Sequence, residues 1–338
     1  MAQTQDCRIV FMGTPGFAAA VLQKLAAWPG GRVVAVYTQP DRPRSRGMRL
    51  VPSPVKTLAE SLGLEVRQPV NFKAEAERRA LEDLAPDIIV AAAYGLLLPG
   101  AVLDAARIAP LNVHASLLPR YRGAAPIQRA VMENCGPDAV TGVSLMHMEP
   151  SLDTGPVYAT RVVPIAGRTA GELTEALAEA GAELLLESLP GIIAGTLTPM
   201  PQDHSSATHA AKLMKDDGHI DWSLPAARVD AHVRGVTPAP GARARILCKE
   251  GAEPLELRIV SGHAEPAPPG SLPAPGTLLR CPGCGCEALA VACGEGIYVL
   301  DRVRPSGRKD MAGHDFANGY RPVCALPRET REEPEDPA

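Results

Sequence analysis

Asn112 and His114 stand two residues apart at the end of a short apolar run, Ala109 to Val113. One is an amide donor and the other a titratable acid or base. If the run is a strand, its period of two points both side chains to one side. A third group comes from Ser151-Leu-Asp153-Thr-Gly155, which sets a carboxylate on a turn beyond the alternating stretch Ala139 to Met148. An amide, an imidazole and a carboxylate gathered at strand ends can donate hydrogen bonds to a forming oxyanion and shuttle protons. The same residue types also stabilise ordinary turns, so spacing alone leaves both readings open.

The triplet needs a frame. Residues 1 to about 190 alternate strand and helix patterns. Arg8 to Met12 reads as a buried strand, Phe17 to Ala27 as a helix, and Arg32 to Tyr37 as a second strand. Ser53 can cap a helix that carries Pro54 in its first turn. Asp87 to Ala91 is another buried strand, Ala124 to Glu133 a helix, and Ala170 to Leu189 a long helix. Such alternation predicts an α/β domain, a Rossmann-like and mostly parallel sheet with helices on both faces. Ligands of such sheets bind at the carboxyl ends of the strands. Gly13-Thr-Pro-Gly16 lacks full GxGxxG spacing and reads as a strand-to-helix turn, with an anion site at the helix start as the alternative.

At 338 residues the chain suits two domains. Residues 1–195 form the expected catalytic domain. The polar, proline-bearing stretch PMPQDHSSATH marks a linker over 196–210. From Ala244 short strands are broken by Gly and Pro, which predicts a smaller C-terminal β-barrel (OB-like) over 211–325. The charged residues 326–338 read as a disordered tail.

The net charge of −4 excludes a generally basic nucleic-acid binder, so any polyanion must meet a local patch. Thr38 to Lys56 supplies one: Arg42, Arg44, Arg46, Arg49 and Lys56 are opposed only by Asp41. It reads as a phosphate contact or as a solvated basic loop. No apolar run reaches the ~18 residues of a membrane span. Met1 to Asp6 lacks a signal peptide's segments, so a cytoplasmic location is expected. Of eight cysteines, Cys281, Cys284, Cys286 and Cys293 cluster. Cys281 and Cys284 have zinc spacing, but no regular second pair completes a site. The cluster reads as a hairpin loop, and no metal is assigned.

The segment NVHASLLPRYRGAAPIQ, residues 112–128, resembles the hallmark of the folate-dependent formyltransferases. Its RGAAPIQ continuation resembles that family's methionyl-tRNA branch. FMGTPGFA, YTQPDRPRSRGMRLVPSPVK, AAYGLLLP and SLDTGPV fall in the family's order, and KDMAGHDFANGYR resembles the end of the branch's second domain. The resemblance covers residues 7–322.

The resemblance implies catalytic roles for Asn112, His114 and Asp153. It implies a folate-site segment at Ser116, Leu117, Leu118 and Pro119. It implies tRNA contacts from the loop bearing Arg42, Arg44, Arg46 and Arg49, with Arg46 foremost. The implied cosubstrate is 10-formyltetrahydrofolate, and the implied acceptor is the amino group of initiator methionyl-tRNA. Asn112 and His114 would then donate to the formyl oxygen, and Asp153 would help relay protons. An amine nucleophile needs no metal to activate it. A monomer is expected. At Arg234 to Gly241 the chain departs from the family's usual Asn-Pro-Trp-Pro, with Thr237 and Ala239 in place of the Asn and the aromatic. One rival reading is a formyltransferase of the same fold acting on a ribotide or an amino sugar; the Arg-rich loop and second domain argue against it. Another is a tRNA-binding module without activity, which the intact triplet argues against.

Overall fold

The computed structural model describes residues 7–44, 49–248, 253–267, 270, 272–281 and 288–328. It divides into two compact units. The first comprises Met1–Ile127, Val140–Ile165 and Glu172–Lys212, and the second Gln128–Ala139, Ala166–Gly171 and Leu213–Ala338.

The first unit is built on a seven-stranded sheet in the order Val157–Pro164, Val140–His147, Ala109–His114, Ile88–Ala92, Cys7–Gly13, Gly31–Tyr37, Val66–Arg67. The strands from Ala109–His114 onward run parallel, and Val140–His147 pairs antiparallel with both Ala109–His114 and Val157–Pro164. Helices cover the parallel strands, so these read as unbroken apolar runs; every residue of Ile88–Ala92 is buried. Helix Gly16–Ala26 buries Phe17, Ala18, Val21, Leu22 and Leu25, one stripe of a 3.6-residue period. Ser53 caps helix Pro54–Ser61 by accepting from the Lys56 backbone N–H at 3.0 Å. The long helix Ala170–Ile193 sets Gly181 against the central strand. A Cβ there would lie 2.7 Å from Val113 Cγ1, so only glycine lets the helix seat that close to the strand bearing Asn112 and His114.

The second unit carries the expected barrel. Its antiparallel strands follow the order Leu278–Cys281, Ala288–Ala292, Ile297–Pro305, Leu255–Glu265, Arg243–Leu247, Cys324–Ala325. A bridge between Thr277 and Cys324 brings the two ends together. Trp222, Tyr298 and Phe316 fill its core with Val229 and Val233 of helix Ala226–Gly235.

Residues 196–210 belong to the first compact unit. His209–Ala210 pair in parallel with Arg122–Gly123. Of the 326–338 stretch only 326–328 are described. Cys284 and Cys286 lie outside the described residues. Cys293 is buried, its thiol is pushed up to about 12 by that burial, and it donates to Val291 O at 3.6 Å. It packs there as a small apolar core residue. Among the described residues, no group of three or more His, Cys, Asp or Glu is arranged to hold a metal ion.

His232, on helix Ala226–Gly235, has a buried Nε2 with no hydrogen-bond partner among the described residues. Burial and then the Arg328 charge push the imidazole down to about 4, against a Gly218 backbone hydrogen bond and Asp217. The unfolded imidazole takes up its proton near 6.5. Between those values the unfolded state binds more protons, so this stability is full above 6.5 and drains as pH falls toward 4, by at most ~1.4 kcal/mol per pH unit. Urea midpoints should fall less between pH 7.5 and pH 5 in His232→Gln than in the wild type. Equal falls would assign the acid sensitivity elsewhere.

Candidate active site

The strands Cys7–Gly13, Ile88–Ala92 and Ala109–His114 run parallel, so their carboxyl ends share one edge of the sheet. Gly13 closes the first. A Cβ there would lie 2.6 Å from Ala18 Cβ and 3.0 Å from Ala92 O, so the turn into the next helix packs directly on the neighbouring strand end. Thr14 Oγ1 then donates to Tyr94 O at 3.0 Å. This is the strand-to-helix turn that its spacing suggests.

The same edge gathers the triplet. Asn112 Nδ2 lies 3.4 Å from Asp153 Oδ1, and His114 Nδ1 lies 3.6 Å from the same oxygen. Asp153 Oδ2 accepts from the Gly123 backbone N–H at 2.8 Å. His114 and Asp153 are 6% and 9% exposed, so their interaction is little screened by solvent, whereas Asn112 is half-buried and reachable. His114 Nε2 lies 3.0 Å from Tyr121 O. A carbonyl only accepts, so Nε2 holds the proton and Nδ1 is the nitrogen that faces the carboxylate. Both ring nitrogens thus address protein groups. Asn112 keeps capacity to spare, because its amide has two N–H donors and the Asp153 contact takes one.

Asp153 sits at φ +54°, in the left-handed region. That costs a non-glycine residue on the order of 1–2 kcal/mol, less for Asp than for most. Gly155 is needed two residues on, since a Cβ there would lie 2.0 Å from His147 O. Tyr121, at φ +60°, and Gly123, at φ +119°, are also left-handed. They are held by the 208–210 stretch: Thr208 Oγ1 accepts from the Tyr121 N–H at 2.9 Å, Thr208 O from the Arg122 N–H at 2.9 Å, and Ala210 O from the Ala124 N–H at 3.0 Å.

The Ser116–Pro119 segment divides in two. Ser116 is fully buried, and its hydroxyl donates to Arg120 O at 2.6 Å. Its carbonyl accepts from Ser144 Oγ at 2.7 Å, and Ser144 Oγ accepts from the Leu118 N–H at 3.0 Å. Ser116 therefore shapes the loop, and Leu117, Leu118 and Pro119 are its half-exposed members. Leu118 and Pro119 line a cleft of about 320 Å³ with residues 157–160 and 200–203, Tyr158 and Gln202 among them. Leu97, in the loop after Ile88–Ala92, leaves 76% of its surface exposed.

Arg42–Arg44 and Arg49–Val51 pair as a hairpin after Gly31–Tyr37, so it rises from the same edge. Arg42 donates to Gln39 Oε1 at 2.5 Å, and Gln39 Nε2 donates to Tyr94 O at 2.9 Å. Lys56 Nζ meets Asp41 Oδ2 at 2.7 Å and Gln68 Oε1 at 2.9 Å, and Gln68 Nε2 donates back to Asp41 Oδ1 at 2.8 Å. These hydrogen bonds hold the Asp41 carboxyl below the usual carboxylate range. Arg44 and Arg49 face each other in the hairpin register, and Arg46 lies outside the described residues.

The structure brings Asn112, His114 and Asp153 together. Sequence reasoning passed over the groups that hold them: the Tyr121 carbonyl, the Gly123 N–H and Gln202. Arg122 and Gly123 lie within the 112–128 motif, whose spacing draws attention to its other residues. Gln202 gave no local signal, lying in a stretch that resembles a linker.

Comparison with known proteins fits this geometry. The formyl transferase model matches residues 7–189, and the formyl transferase C-terminal domain model matches residues 212–321. The chain belongs to the formyl transferase family. It is 51% identical to a methionyl-tRNA formyltransferase of Desulfovibrio desulfuricans, over 94% of each chain. It is 45% identical to one of Halorhodospira halophila, over 95% of this chain and 98% of that one. Among solved structures, the N-formyltransferase of Helicobacter canadensis, bound to folinic acid and dTDP-3-aminofucose, superposes with a TM-score of 0.61 at 13% identity, over 87% of this chain and 98% of that one. HypX of Aquifex aeolicus in complex with tetrahydrofolic acid superposes with a TM-score of 0.57 at 19% identity, over 93% of this chain but only 47% of that one. At such identities the two structures establish the shared fold. Among the described residues, no helix is long and apolar enough to cross a membrane.

Proposed function

We propose that the chain transfers a formyl group from 10-formyltetrahydrofolate to the free amino group of methionyl-initiator-tRNA, giving N-formylmethionyl-tRNA for translation initiation. The observation that carries this reading is the Asn112–His114–Asp153 cluster at the sheet edge, in a chain 51% identical to a methionyl-tRNA formyltransferase. The folate supplies the formyl carbon and departs as an amine. Asn112 Nδ2 donates to the formyl oxygen as negative charge grows there, an interaction stronger in the transition state than before it. Asp153, faced by His114 Nδ1, accepts the proton that the attacking amine must lose, and the pair returns a proton to the departing nitrogen. Tyr121 O, by accepting from Nε2, fixes the ring orientation that makes this relay possible.

Leu97, Leu117, Leu118 and Pro119 are the apolar surfaces proposed to flank the folate, with Ser116 holding their loop. Arg42, Arg44, Arg46 and Arg49 are proposed to contact tRNA phosphates, and the barrel to help hold the tRNA. The enzyme is read as a cytoplasmic monomer, which sedimentation of the purified chain checks. Incubation with 10-formyltetrahydrofolate and either initiator or elongator methionyl-tRNA tests the reaction itself. Formylation of the initiator species supports the reading, and formylation of neither sinks it.

The arginines give a separate expectation. Removing one phosphate contact by Arg46→Ala should weaken tRNA binding and flatten its log–log salt slope by about 0.7–0.9. Affinity for the folate should hardly change. Unchanged tRNA binding across the salt series, or an equal loss of folate binding, would remove Arg46 from the tRNA site.

A further inference from the structure

Gln202 is 9% exposed and every hydrogen-bonding position of its amide is used. Nε2 donates to Asp153 O at 2.9 Å and to Gly155 O at 2.6 Å. Oε1 accepts both arms of the Arg122 guanidinium, Nε at 3.1 Å and Nη2 at 2.7 Å. An amide offers two donors and two acceptor lone pairs, so nothing is left over. The orientation is forced by the chemistry. Turned about, its oxygen would oppose two carbonyls and its NH2 a guanidinium.

The two carbonyls belong to the turn that presents the Asp153 carboxylate. That turn holds a non-glycine residue at φ +54°, a conformation that persists only where its surroundings impose it. The Arg122 end of the clamp adjoins Gly123, whose N–H donates to Asp153 Oδ2. Asp153 is thus held from two directions, its carboxylate by Gly123 and its backbone by Gln202, and Arg122 joins the two anchors. Arg122 Nη2 also meets His204 Nδ1 at 3.1 Å. The 202–210 stretch, polar and proline-flanked in sequence, braces the active site.

We propose that Gln202 is a positioning residue for formyl transfer, whose amide fixes the Asp153 turn to the Arg122–Gly123 segment and so sets where the carboxylate meets the reacting amine. This rests on the formyl-transfer reading. Gln202 itself touches no reacting atom. Its effect runs through Asp153, and a displacement near 1 Å at such a group costs up to about 10²-fold in rate.

The test uses the full chain and two variants. Gln202→Leu removes both donors and the acceptor at similar volume. Gln202→Glu keeps the acceptor for Arg122 and sets a carboxylate against two carbonyls. Both should lower kcat by roughly 10- to 10²-fold, with KM for tRNA and for folate little changed. Placed on Asp153→Ala, Gln202→Leu should add no further loss, because the group it positions is already gone. Hydrogen exchange should quicken in the peptide spanning 148–157 while the sheet strands exchange as in the wild type. Losses that multiply on the Asp153→Ala background, an active Gln202→Glu, or unchanged exchange in 148–157 would each overturn the proposal. A loss caused by partial unfolding would multiply on that background and quicken exchange throughout. A wild-type chain that formylates no methionyl-tRNA refutes the reaction, and the exchange measurement then still decides whether Gln202 holds the turn.

Discussion

Asp153→Ala is expected to lower single-turnover formylation by about 10²-fold or more, with the fold intact. The carboxylate is the common partner of the site: Gly123 N–H at 2.8 Å, Asn112 Nδ2 at 3.4 Å and His114 Nδ1 at 3.6 Å all address it. In the proposed reaction its removal takes away the proton acceptor and also the group that aligns the other two. Asp153→Asn should not rescue the reaction. Its NH2 would confront the Gly123 N–H or the Asn112 amide, a donor against a donor, and an amide accepts no proton from the amine. Folding should survive, because the side chain sits at a sheet edge and adds little to the core. Near-normal turnover in Asp153→Ala, or full activity in Asp153→Asn, would remove Asp153 from the mechanism.

Much of this site could be read along the chain because its geometry is local. Asn112 and His114 sit two apart on one strand, and period two fixes their common side whatever surrounds them. The parallel sheet was legible for the same reason, since buried strands such as Ile88–Ala92 announce themselves as apolar runs between helical patterns. The barrel showed as short strands broken by turn residues. Residues 196–210 read differently in sequence from what the structure makes of them. Thr, Pro, His and Ser dominate there, and nothing in their spacing shows that Gln202 reaches back 49 residues to Asp153 and 80 to Arg122. A polar residue that satisfies distant backbone carbonyls has no periodicity to betray it. Ser116 shows the converse limit. The resemblance implies a folate-site role for it, but only the structure shows its hydroxyl turned inward to Arg120 O.

Trp222→Ala is expected to destabilise the second unit by about 3–5 kcal/mol. Trp222 is 2% exposed and lies 6.4 Å from the Tyr298 ring, among Val229, Val233, Leu300 and Phe316. Truncation leaves a cavity the size of an indole in a barrel whose strands cannot close on it without breaking register. Domains of this size are stable by only about 5–15 kcal/mol, so the variant should stand near its unfolding threshold. The polar atoms of this pair predict an opposite trend. Trp222 Nε1 and Tyr298 Oη are buried without a hydrogen-bond partner among the described residues. Removing an unpaired buried hydroxyl removes a desolvation cost, so Tyr298→Phe should be neutral or stabilising by up to ~1 kcal/mol. Trp222→Phe should likewise cost less than its lost volume suggests, because the indole N–H goes with it. Urea unfolding of the four proteins, followed by circular dichroism, ranks them. The expected order is Tyr298→Phe at or above wild type, then Trp222→Phe, then Trp222→Ala far below. If Tyr298→Phe falls as far as Trp222→Phe, the hydroxyl has a partner that stabilises the core. If Trp222→Ala unfolds with the wild-type midpoint, the barrel is not packed around this ring.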